Sequence, residues 1–269
     1  MKQKSIFPKV IMDMFSIQFA WAWGFFGIML VINIIKVGRT LLGNDSVDGY
    51  YDAVFIGANI FMLVIGIIST SFLSHYVANG VTRKDYFKGA LLASVGLSVV
   101  IPIIAFVVDA IERFIVTNLT NITFGDPGLN AVTQEIAEDI GDIGGIGDVI
   151  STIVQSVIFT PYIDPGSNWI LAMGVFSLNI FLYYLLGWLI SASFYRFDTV
   201  TGLGFIVIAL VLLMAGDTLL RVTLGLPLLE GLAALNAIPA GVAALGVLFI
   251  VVVSIWMIRL LTKNVSVKM

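Results

Sequence analysis

The sequence predicts an all-α membrane protein of six transmembrane helices, and three observations predict it. Hydrophobic residues make up 59% of the chain and charged residues only 12%, with a mean hydropathy of +1.04. A soluble domain carries roughly 25% charged residues, so this apolar surplus is too large for one aqueous core. The few charges are spaced to leave six uncharged runs, and the basic residues gather in alternate connections between those runs.

The runs hold 22 residues between Asp13 and Lys36, 22 between Asp52 and His75, and 20 between Lys88 and Asp109. A further 31 lie between Asp164 and Arg196, 18 between Asp198 and Asp217, and 28 between Glu230 and Arg259. About 20 helical residues at 1.5 Å each cross a hydrocarbon core of roughly 30 Å, so every run is long enough. The spans fall near 17–35, 53–73, 89–108, 169–190, 202–220 and 239–258. The first run is span-length and lacks a small-residue cleavage site, so no cleaved signal peptide is expected. Pro102 within the third span predicts a kink.

Orientation follows from the basic residues. With the N-terminus in the cytoplasm, the inner segments carry Lys2, Lys4, Lys9, Arg83, Lys84, Lys88, Arg196, Arg259, Lys263 and Lys268. The outer segments carry only Lys36, Arg39, Arg113 and Arg221. An even number of spans returns the C-terminus to the same side. The expectation is a multi-pass protein of the cell membrane with both termini cytoplasmic.

Outside the spans, residues 1–16 include SIFPKVIMDMFS at 5–16, an amphipathic segment with Ser5 as N-cap and Pro8 in the first turn. Phe7, Val10, Ile11, Met14 and Phe15 form its apolar face, and an interfacial helix at the headgroups is expected there. The inner loop 75–88 contains Asn79-Gly80, which favours a turn, and Thr82, which is placed to cap a short helix through Arg83, Lys84, Asp85, Tyr86 and Phe87.

Residues 109–168 form an acidic outer insertion with nine acids against one base, Arg113. Ile136, Ile140, Ile143, Ile146, Ile150, Ile153 and Val157 recur at helical spacing, so the insertion is expected to be partly helical, weakened by Gly141, Gly144, Gly145 and Gly147. Asn118 and Asn121 head glycosylation sequons, matches this short being frequent by chance. The outer connection 221–238, RVTLGLPLLEGLAALNAI, is apolar enough to dip into the membrane as a re-entrant stretch. Asp217 and Arg221, four residues apart, are spaced for an ion pair at the outer end of the fifth helix.

Enzyme chemistry finds little footing. There is no cysteine and a single histidine, His75, which removes thiolate sites, HExxH zinc sites and a histidine-based triad at membrane depth. His75 and Asn79 match the HxxxN of an intramembrane protease family, but the paired glutamates that family also needs are absent. No P-loop occurs, so ATP has no such site in this chain, and no metal site is expected. Basic residues are too few for nucleic acid. The spans carry no charge at mid-depth; Gln18, Asn33, Asn59 and Asn179 are their strongest polar groups, so an internal charge relay for ion-driven transport is missing.

The amphipathic segment 5–16, the NGVTRKDYFKG sequence at 79–89 and the apolar connection before the last span together resemble the membrane (permease) subunit of a bacterial ABC-2-type ABC transporter. That resemblance implies an exporter whose ATP and Mg are bound by a separate ATP-binding-cassette ATPase subunit. It implies pairing with a second permease copy or a sister permease in the lipid bilayer. It also implies a coupling helix at 75–88 contacting the ATPase through Asn79, Gly80, Thr82, Arg83, Lys84, Tyr86 and Phe87. The 60-residue insertion departs from the compact core of that family. Two other readings stay open: a membrane-embedded sensory or binding protein whose insertion recognises a ligand, and, more remotely, the intramembrane protease.

Overall fold

The computed structural model describes residues 6–42, 49–119, 124, 160–228, 232, 235 and 237–263. Six α-helices carry the fold: α1 (Phe7–Leu42), α2 (Tyr50–Ala78), α3 (Arg83–Leu119), α4 (Pro165–Arg196), α5 (Thr199–Leu224) and α6 (Ala240–Lys263). Each is long and apolar enough to cross a membrane, and the chain is an all-α multi-pass membrane protein. Contacts between Lys88 and Phe7, Arg259 and Arg83, and Arg196 and Leu260 gather the start of α1, the α2–α3 turn, the α4–α5 turn and the end of α6 at one end of the bundle.

The helices α2 and α4 form the centre. They bury 56% and 61% of their most apolar stretches, whereas α1 buries 17% and leaves most of its surface for lipid or another chain. Their seam is close because glycine faces backbone on both sides. A Cβ at Gly66 would lie 3.0 Å from Trp188 N and nearer still to the Tyr184 carbonyl oxygen; one at Gly187 would meet Leu63 in the same way. Small residues that let backbones touch are how membrane helices gain packing without a hydrophobic driving force. Hydroxyls then zip the seam: Thr70 Oγ1 with Ser191 Oγ at 2.5 Å and Ser74 Oγ with Tyr195 OH at 2.9 Å. Helix α3 packs against α1, α2 and α4, while α5 and α6 pack on each other and on α4.

Four elements differ from the expectation in extent. The N-terminal segment is not a separate interfacial helix, since α1 runs unbroken for 36 residues from Phe7 to Leu42. Pro8 sits in its first turn and nothing between Ser16 and Phe19 breaks a helix, so the amphipathic face continues into the span. That length is about 54 Å, well beyond a hydrocarbon core of roughly 30 Å. The loop 75–88 shrinks to the four residues 79–82, and the short helix expected after Thr82 is the first turn of α3, which continues through Pro102 to Leu119. Charge-free runs mark the stretch that lipid tolerates, not where hydrogen bonding stops. Helix α5 likewise extends to Leu224, where Gly225 takes a left-handed conformation (φ 66°) that ends it.

The isoleucine stripe at 136–153, Asn121 and most of the re-entrant stretch after Leu228 lie outside the described residues. Asn118 falls within α3 and donates to the Phe114 carbonyl at 2.6 Å.

Candidate functional site

At the end where α1 begins and α6 ends, the Asn79–Thr82 turn is built from local hydrogen bonds. Asn79 Nδ2 donates to the His75 carbonyl at 2.8 Å, Gly80 has φ +82°, and Thr82 Oγ1 accepts from Asp85 N at 3.1 Å. The turn residue with positive φ must be glycine or strained. Asn79, Gly80, Thr82 and Lys84 are exposed, and Arg83 is half-buried. Tyr86 and Phe87 are not on this surface. Tyr86 is fully buried, donates to the Ser69 carbonyl at 2.5 Å and packs edge-on to Trp188; Phe87 lies 5.5 Å from Trp188 and beneath the Arg259 guanidinium at 5.2 Å. The motif thus splits into an exposed polar lip and two buried aromatic anchors.

The start of α1 lies against this lip. Val10 and Met14 are buried, with Val10 filling the space over Gly89, where a Cβ would come within 2.5 Å of its Cγ1. Phe7 sits under Lys88 Nζ at 5.8 Å, and Ile11 is half-buried. Asp13 takes the Tyr76 hydroxyl at 2.5 Å. Further inside, Gln18 Nε2 donates to Tyr184 OH at 3.1 Å, and Ser69 Oγ and Tyr184 OH share a 2.5 Å bond, so one polar knot ties α1, α2 and α4. His75 is exposed, and among the described residues no three His, Cys, Asp or Glu side chains converge to hold a metal.

The opposite end holds a cluster that the reading of the sequence did not assemble. Asp52, Asp109 and Glu112 converge on Arg113. Arg113 Nε pairs with Asp109 Oδ2 at 2.7 Å and its Nη2 lies 3.9 Å from Asp52 Oδ2. Backbone donors complete the carboxylates: Tyr51 N to Asp109 Oδ1 at 3.1 Å, Gly49 N to Asp52 Oδ2 at 3.2 Å and Tyr50 N to Glu112 Oε2 at 2.8 Å. Asn33 Nδ2 reaches Glu112 Oε1 at 2.6 Å from α1. The Tyr162 hydroxyl donates to Asp52 Oδ1, and burial, reinforced by the Asp52 charge, pushes the Tyr162 phenol up. Three carboxylates cap the α2 N-terminus and the extended end of α3 with one guanidinium among them, so the cluster is net negative. Its signal in the sequence was Asp109, Glu112 and Arg113 at helical spacing, but pairing them with Asp52 and Asn33 needed the fold.

Asp217 and Arg221 lie in the last two turns of α5, Nε to Oδ2 at 2.8 Å. Asp217 is buried with its Oδ1 unpartnered, and Arg221 also donates to the Pro227 carbonyl at 3.2 Å. Comparison with family models, with curated proteins and with solved structures returns no match for this chain.

Proposed function

We propose that the chain is the permease subunit of an ATP-driven ABC transporter of the ABC-2 type, an exporter of the cell membrane with both termini cytoplasmic. A separate ATPase chain binds ATP and Mg and docks on the turn between α2 and α3. A second permease copy, or a sister permease, completes the pathway.

The observation that supports this reading is the division within the 79–87 motif. Asn79, Gly80, Thr82 and Lys84 face outward on a four-residue turn, while Tyr86 and Phe87 a few residues on are locked against Ser69 and Trp188. A push on such a lip is delivered to the α2–α4 centre through a buried aromatic contact, which is what a motor on another chain requires. Tyr86 and Phe87 then transmit force and do not touch the ATPase. The absence of mid-span charge supports an external energy source. The unbroken α1 departs from the interfacial helix expected of the amphipathic segment 5–16.

The test is affinity purification of the tagged chain from its native membrane, with the ATP hydrolysis of the eluate measured. An ATP-binding-cassette chain is expected to co-purify, and Lys84→Glu together with Asn79→Ala to release it without changing helicity. Phe87→Ala is expected to lower thermal stability, since truncating a buried phenylalanine costs about 3–5 kcal/mol in a packed core. If no ATPase co-purifies, or the lip substitutions leave it bound, the assignment fails. A binding or sensory protein without transport is the second reading, favoured by the polar cluster at the opposite end.

A further inference from the structure

At the end of the bundle where α1 begins and α6 ends, the described cations outnumber the acids. Between the α4–α5 turn and the last turns of α6, that end holds a groove of about 480 Å³. The volume suits a small ligand or a headgroup, since such pockets run to roughly 300–1,000 Å³. Arg196 and Lys263 supply its charge, Phe205, Trp256 and Leu260 much of its apolar wall, and among the described residues no acid lines it. Asp198, the acid of the adjoining turn, accepts the Thr201 hydroxyl at 2.7 Å.

Arg196 is held in place by contacts that leave part of it unspent. Its Nη1 donates to the Leu260 carbonyl and, at 3.3 Å, to the Leu261 carbonyl, two of the acceptors left over at the end of α6. The guanidinium lies 5.5 Å over the Phe197 ring, which in turn stacks on Phe205 at 5.9 Å. Its Nε and Nη2 donors take no acceptor among the described residues, and the residue is exposed. A guanidinium fixed in this way loses little freedom on taking two phosphate oxygens side by side. On α6, Trp256, Leu260 and Lys263 fall at i, i+4 and i+7, so they share one face. Trp256 is 61% exposed, as suits a residue at headgroup level. Phe249 and Val252, one and two turns further into the span, are exposed as well. An apolar track therefore leads from the two cations toward the middle of the membrane.

We propose that this groove binds an anionic phospholipid, one whose phosphodiester carries no headgroup cation. The phosphate takes the free side of the Arg196 fork, Lys263 balances the same charge, and an acyl chain lies along Trp256, Val252 and Phe249. A zwitterionic headgroup brings its own ammonium against two cations. A free phosphate answers the charges but leaves the apolar track uncovered, which is why a lipid fits better. The inference is independent of the ATPase reading, because it concerns this chain and its bilayer alone.

The experiment is native mass spectrometry of the full chain in maltoside micelles, titrated with dioleoyl phosphatidylglycerol or dioleoyl phosphatidylcholine. One phosphatidylglycerol is expected to be retained about ten-fold more tightly than phosphatidylcholine. Lys263→Gln, at an exposed helix end, is expected to weaken it about five-fold, the worth of one cation at a lipid surface, with thermal unfolding unchanged. Arg196→Gln is expected to weaken it at least as much. Lys9→Gln with Lys88→Gln removes two charges from the same end outside the groove and should leave retention as it was. Glycerol phosphate at equal concentration should not displace the lipid. Equal retention of the two lipids, or retention that survives Lys263→Gln, overturns the proposal. An equal loss in the Lys9 and Lys88 double variant overturns it in favour of a diffuse field, and displacement by glycerol phosphate in favour of a small-anion site.

Discussion

Replacing Gly66 with alanine tests the account of how the bundle is held together. In an exposed helix the change stabilises by about 1 kcal/mol through propensity alone. At Gly66 the new methyl would sit 3.0 Å from Trp188 N and the Tyr184 carbonyl carbon, with the Tyr184 oxygen closer still. These are backbone atoms and no rotamer moves them, so α2 and α4 must part by on the order of 1 Å to reach ordinary contact. That displacement carries the 2.9 Å Ser74–Tyr195 bond beyond hydrogen-bond range and stretches Thr70–Ser191 and Ser69–Tyr184, both at 2.5 Å. Overpacking of this kind costs about 1–3 kcal/mol. Each interhelical bond lost in a bilayer adds roughly 0.6 kcal/mol, and propensity returns about 1, so a net loss of about 1–3 kcal/mol remains. The assay is SDS-driven unfolding in mixed micelles followed by circular dichroism. Gly24→Ala and Gly27→Ala on α1, where an added Cβ meets nothing within 4 Å, are the controls and should not lose stability. Because Gly66 and Gly187 meet at one crossing, Gly66→Ala with Gly187→Ala should cost less than the two single changes summed. A Gly66→Ala protein as stable as its Gly24→Ala counterpart refutes the reasoning.

Two further outcomes follow from the polar ends. Folding raises the Tyr162 phenol through burial and the Asp52 charge, so its contribution is full below the unfolded value near 10 and is lost as pH climbs past it. Tyr162→Phe should therefore flatten the fall of stability above pH 10, seen by alkaline denaturation, and cost about 1–3 kcal/mol at neutral pH by stripping a donor from Asp52. An unaltered alkaline limb would count against the Tyr162–Asp52 bond. Asp217 is more deeply buried than its partner, with side-chain exposures of 1% against 13%. Arg221→Met should then destabilise by about 3 kcal/mol by stranding the carboxylate, and adding Asp217→Leu should recover most of it; the opposite order in chemical unfolding would sink that account.

Six helices, their apolar cores and the segregation of basic residues were legible in the sequence, because lipid demands long uncharged runs and that demand is local. The turn at Asn79-Gly80 and the Thr82 cap were legible for the same reason, since each satisfies its own neighbours. Helix ends were not. Asp109, Glu112 and Arg113 read as the start of a loop, yet α3 continues through them because Asp52, Asn33 and the Tyr50 N–H supply partners from other helices.

The tertiary structure alone decided which side of a motif faces inward. By sequence Tyr86 and Phe87 belong with Arg83 and Lys84 as one basic-aromatic patch; in the fold Trp188 of α4 and Ser69 of α2 claim the aromatics and leave the charges outside. No local pattern around Phe87 specifies Trp188, which lies far along the chain in α4. Likewise Asn33 shows as one more polar group in a span, and only the approach of Glu112 turns its amide so that Oδ1 is left without a donor. Composition fixes the solvent a helix can tolerate. Which of its side chains meet another helix depends on how closely the backbones approach, and here that was set by Gly66 against Gly187.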